Sequence, residues 1–235
     1  MPADSNLLLC MNEGFLDKKG LEKLREVVFE QLNFDRMQIT TEESNALYAN
    51  GLTAGLVVHG GHSRTACTPI VEAYTLRHAA QMSKFGGAIQ DELLLQEFPG
   101  RFQTSFDQNW SLRRMKEQIL SQKVTLPDQT VVEKRLWQSY EDFEGVFAET
   151  GNKKVGLTAL MRDSLKQCEI DCRAALDKFV FSGGNLPTSL ASSLPWPDTV
   201  KFVPGATEPI LAGWRGAALL AQLTTFEWID NDTEV

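Results

Sequence analysis

The chain has 235 residues and a net charge of −8, from 31 acidic and 23 basic side chains. That length fits one domain or two small ones, and a composition 43% hydrophobic and 23% charged is that of a globular chain with a sizeable core. The acidic balance argues against a general nucleic-acid or anionic-membrane binder, no apolar run nears a membrane span, and four cysteines do not make a disulfide framework.

Residues 1–10 carry no basic region and no cleavage pattern, so a signal peptide is not expected. Leu7, Leu8, Leu9, Cys10 and Met11 form a short apolar run of the kind that makes a fully buried strand. Apolar residues at Leu21, Leu24, Val28 and Leu32 mark one face of a helix over 21–33. Thr40 and Thr41 ahead of Glu43 predict the capped start of a second helix through Tyr48, ended by Asn50 and Gly51. Residues 53–59 and 65–73 read as two strands of a hairpin joined by Gly60-Gly61-His62-Ser63. A mostly helical stretch is predicted over 76–122, interrupted at Phe98-Pro99-Gly100. A turn at Leu126-Pro127-Asp128 and a short strand around Val131 follow. The spacing then predicts one long amphipathic helix over 157–176, with Leu165, Cys168, Cys172 and Leu176 on its apolar face. Strands are expected at 179–181 and 199–203, a small-residue-rich helix at 213–223, and a frayed acidic tail from 230 onward. Alternating strands and helices give an α/β fold class.

Three segments carry chemistry. The turn in Gly55-Leu56-Val57-Val58-His59-Gly60-Gly61-His62-Ser63 reads either as a phosphate cradle of glycine amides or as a tight hairpin. Phe181-Ser182-Gly183-Gly184-Asn185 could let a ligand lie across bare backbone, or is simply a turn after a strand. His59, His62 and Cys67 are too few ligands for zinc, and Cys168 with Cys172 is most simply core packing.

In order, these segments resemble the actin and actin-related protein family. GLVVHGGHSRTACTPIVEAY, residues 55–74, is similar to the family's second phosphate-binding hairpin. VFSGGN at 180–185 resembles its adenosine-binding turn, and WRGAALLAQLTTF at 214–226 resembles its C-terminal tryptophan helix. The resemblance implies an actin-like ATPase-superfamily (ribonuclease H-like) fold: an outer-domain remnant over 1–50, an inner domain over 51–210, and a returning C-terminal helix with acidic tail over 211–235. It also implies that the family's first phosphate loop and most of its small domain lie outside this sequence.

Carried over residue by residue, the resemblance implies vestigial nucleotide contacts at Gly61, Arg113, Lys116, Glu117, Gly183 and Gly184. It also shows departures. The two aspartates of the hairpin turn correspond to His59 and His62, the water-positioning glutamine to Glu42, the following histidine to Ala66, and the adenine-side lysine to Ile210. An imidazole does not replace a carboxylate in holding a hydrated divalent cation. The expectation is therefore a non-catalytic structural subunit of a larger assembly, with no metal and no cofactor required. It would be cytoplasmic, cytoskeletal or ciliary, with a nuclear setting left open, and held to other protein subunits, actin or another actin-related protein among the candidates, through Leu7, Leu8, Leu9, Cys10 and Met11. One half of a split nucleotide-binding actin (binding ATP or ADP) completed by a partner chain, or a filament-end capping protein, are the alternatives.

Overall fold

Leu56, Val57 and Val58 are all fully buried, which requires a strand covered on both faces. They lie in β3 (Gly55–Gly60), which is paired antiparallel to β4 (Thr65–Val71) through the hairpin and parallel to a later strand, Lys178–Ser182. In chain order the structure builds β1 (Asn6–Met11), α1 (Lys18–Glu26) continuing into a π-helical turn (Val27–Gln31), β2 (Arg36–Thr41), α2 (Glu42–Tyr48), β3 and β4. There follow β5 (Tyr74–Thr75), β6 (Gln81–Ser83), α3 (Gly87–Glu97), β7 (Lys123–Thr125), β8 (Val131–Glu133), α4 (Leu157–Gln167), α5 (Ile170–Arg173), β9 (Lys178–Ser182), β10 (Lys201–Phe202) and α6 (Ala212–Leu220). This computed structural model describes residues 5–12, 18–97, 109–110, 112, 123–125, 129, 131–133, 157–186, 201–203 and 208–231.

The central sheet runs β10-β9-β3-β4-β5, with β6 also pairing β4. Leu56 and Val58 meet α4 through Leu157, Leu160 and Met161, while Val57 and Val180 meet α2 and α6 through Ala46, Leu47 and Ala212. The small sheet pairs β1 with β2 in parallel, Leu7 opposite Met37 and Met11 opposite Thr41. One face packs Leu7, Leu9 and Met37 onto Val28 and Phe29. The π turn, closed by Leu32 N–H donating to the Val27 carbonyl at 3.0 Å, lets these consecutive residues both turn inward. The C-terminal segment closes the outer edge of β2, where the backbones of Met37 and Ile229 exchange hydrogen bonds of 2.8 and 2.9 Å.

Several expectations change. β1 is half-buried, not fully buried, because it sits in a two-stranded sheet. β2 is a strand the hydrophobic pattern does not announce, since only Met37 of Arg36-Met37-Gln38-Ile39-Thr40-Thr41 is fully buried. The helix expected over 21–33 starts at Lys18 and stops at Gln31, leaving Leu32 exposed. Residues 76–86 are not helical: a 3₁₀ turn (Arg77–Ala79) and β6 run along β4, where Cys67 pairs with Gln81. The helix expected over 157–176 breaks after Gln167. Arg173 folds back to donate to the carbonyls of Cys168 (3.1 Å) and Lys166 (2.8 Å), satisfying the end of α4. The turn at 126–128, the break at 98–100 and most of the stretch beyond it lie outside the described residues.

The α2 start falls as expected: Thr41 Oγ1 accepts from Ser44 N–H at 3.2 Å. The close α2–α6 crossing depends on Gly216, where a Cβ would lie 1.8 Å from the Asn45 carbonyl oxygen.

Candidate functional site

Side chains near the C-terminal ends of four strands converge. Asn12 directly follows β1, Glu42 directly follows β2, His59 is the penultimate residue of β3, and Ser182 is the last of β9. Alternation along β3 puts His59 on the same face as Val57, toward α2. There its Nε2 lies 3.1 Å from Glu42 Oε2, and its Nδ1 lies 3.4 Å from Ser182 Oγ. Asn12 Nδ2 donates to the same Glu42 oxygen at 2.7 Å and stands 3.2 Å from His59 Nε2. A carboxylate only accepts, so this pairing assigns the hydrogen to Nε2 and leaves Nδ1 to accept from the Ser182 hydroxyl. Burial holds the His59 pKa below the ordinary value; the Glu42 carboxylate pulls it up and the Arg64 guanidinium adds to the lowering. His59 is therefore a neutral, buried imidazole with both nitrogens engaged. Ala66 pairs directly with it across the hairpin and is itself buried.

The turn beyond β3 is closed on itself. Gly61 N–H donates to the Arg64 carbonyl at 2.9 Å, so that amide is not available to an anion. The carbonyls of Gly61 and His62 accept from Gly87 N–H (3.1 Å) and Ala88 N–H (2.8 Å) at the start of α3. His62 is exposed, while Cys67 is fully buried and its thiol is pushed far up by that burial. Among the described residues no three His, Cys, Asp or Glu side chains gather as a metal-binding group.

The glycine turn after β9 is packed just as tightly. Gly183 adopts φ 88°, and a Cβ there would lie 2.3 Å from the Gly60 carbonyl oxygen, so only glycine fits. Its N–H donates to the Pro209 carbonyl at 2.9 Å, and Asn185 N–H donates to the Gly60 carbonyl at 3.1 Å. Ile210 lies against Gly184 and Leu186 lies over Gly60.

A hydrated divalent cation beside a phosphate chain needs oxygen ligands. The inward side chain at the end of β3 is instead an imidazole already bonded on both sides, so His59 offers no such oxygen. Sequence reasoning singled out Glu42 and His59 separately, and the structure joins them. Ser182 was noted only as part of the glycine turn after the strand, and Asn12 had no signal beyond its position at the end of an apolar run. Arg113, Lys116 and Glu117 lie outside the described residues.

A family model described as actin matches residues 2–144. The chain belongs to the actin family. Its mixed sheet flanked by helices is the α/β fold of actin-like ATPases. Among curated proteins, actin-like protein 9 of Homo sapiens is 27% identical over 254 residues, covering 94% of this chain and 61% of that protein. The proteins of the same name from Bos taurus and Mus musculus are each 28% identical over the same shares. This actin-related chain thus spans 61% of the length of the relatives it matches. No helix among its described residues is long and apolar enough to cross a membrane.

Proposed function

We propose that this actin-related chain is a non-catalytic structural subunit of a larger protein assembly in a cytoskeletal, motor-associated or ciliary setting, acting through protein–protein contacts. The observation that carries the reading is His59. Neutral and engaged on both nitrogens, it occupies the turn position at which the family resemblance expects a metal-facing carboxylate. Phosphoryl transfer depends on a metal and donors that neutralise charge developing on the phosphate oxygens. The Gly61 amide is bound to the Arg64 carbonyl, and one Glu42 oxygen is bound to Asn12 and His59, which reduces what the turn can offer that chemistry.

The partner-facing feature is β1. One edge pairs with β2, and no strand pairs with the other among the described residues. An apolar strand with an open edge accepts another strand by backbone hydrogen bonding. Affinity purification of the tagged chain followed by mass spectrometry tests this reading. A stable, stoichiometric protein partner is expected, and a soluble monomer recovered alone would contradict it.

A further inference from the structure

The four side chains at the strand ends belong to two different sheets. Asn12 and Glu42 extend the small sheet, one residue beyond the Met11–Thr41 pair, whereas His59 and Ser182 are a paired position of the central sheet. The contacts at 2.7 Å and 3.1 Å to one Glu42 oxygen, and 3.4 Å from His59 to Ser182, make a continuous chain of polar contacts from β1 to β9. The Glu42 side chain is about a third exposed, and its Oε2 faces inward to an amide and an imidazole.

We propose that Asn12, Glu42, His59 and Ser182 form a built-in clasp that fastens the small sheet to the central sheet, so that their closed arrangement needs no bound nucleotide or metal. This rests on the reading of the site as non-catalytic and adds what the altered residues do there. The clasp works with the apolar contact of α6 on α2 and with Asn45, whose Nδ2 donates to Thr40 Oγ1 at 2.7 Å and to Cys10 Sγ at 3.0 Å. Asn45 ties the ends of β1 and β2 to α2, whereas the clasp joins those ends to side chains of β3 and β9. Glu42 is its centre, since both small-sheet and central-sheet groups meet on one of its oxygens.

Hydrogen exchange on the full chain without nucleotide tests the clasp. In Glu42→Ala, amides of β1 and β2 should exchange about tenfold faster than in the wild type, as expected for about one lost hydrogen bond, while β3 and β4 keep their protection. Glu42→Gln, which keeps an acceptor oxygen, should recover most of the protection. Ser182→Ala, a smaller truncation, should shift exchange in the same direction if Glu42→Ala does not fold. Equal acceleration across both sheets, or none in β1 and β2, would overturn the clasp and leave the non-catalytic reading standing. In a separate arm, wild-type protein is given Mg·ATP. Unchanged exchange is expected, and new protection of residues 59–64 would overturn both that reading and the ligand-free closure.

Discussion

The two sheets solve the same problem differently. In the central sheet, Leu56, Val57 and Val58 of β3 are fully buried because strands flank them on both sides and helices cover both faces. In the small sheet, β1 is half-buried along its length except for the exposed Asn6, and among the described residues it has one strand neighbour. The central sheet is held mainly by its own apolar burial. The small sheet is held from outside, by the π turn beneath it, by Ile229 at the β2 edge, by α6 on α2, and by the polar contacts at its strand ends. The part of the fold least able to stand alone is therefore the part that borrows most from distant sequence.

The largest perturbation should come at the α2–α6 crossing. Gly216→Val forces a side chain into backbone atoms that cannot give way, and should cost about 3 kcal/mol or more in urea unfolding. Gly213→Ala, on the same helix, meets only ordinary contacts at 3.5 Å and should change stability by less than about 0.5 kcal/mol. Equal effects at the two glycines would show that the crossing does not govern the small sheet.

The strand-end cluster gives a pH dependence of known sign. Burial lowers the folded pKa of His59 below 6.5, so the unfolded chain binds the proton more readily. The stability this contributes is fully present above 6.5 and is lost as pH falls toward the lowered folded value. The urea midpoint should fall between about pH 7 and pH 5.5, around the ordinary imidazole range, and His59→Gln should flatten that slope. An unchanged slope in the variant would assign the titration elsewhere.

A smaller effect of opposite sign is expected on the central sheet. Glu72 and Ala73 join β4 to β5 with φ of 48° and 68°, a two-residue turn in the left-handed region. Ala73→Gly should relieve strain and raise stability by about 0.5–1 kcal/mol in thermal unfolding. Smallest of all in stability is Asn6→Lys on β1. It should leave the melt within about 0.5 kcal/mol but reduce capture of a strand-adding partner in pull-down, because an edge lysine opposes strand addition.

Much of the central sheet was legible in the sequence because its signals are local. The β3–β4 hairpin has apolar runs around a glycine turn, and the α2 start has Thr41 as its cap. The small sheet was legible only in half. β1 is an apolar run, but β2 is mostly polar and becomes a strand only because β1 and Ile229 pair with it on either side. The break after α4 was also invisible, since it depends on Arg173 reaching back to the carbonyls of Lys166 and Cys168. At the site, family resemblance marked Glu42 and His59 as departures. Their union with Asn12 and Ser182 is a long-range fact that no spacing encodes.

The most direct test of the account is calorimetric titration of the full chain with Mg·ATP, paired with thermal melts at saturating nucleotide. No binding heat and an unchanged melting temperature are expected, because the His59 ring is engaged by Glu42 and Ser182 and the Gly61 amide by the Arg64 carbonyl. Saturable binding that raises the melting temperature would show that the site still takes nucleotide, and would contradict a fold closed by its own side chains.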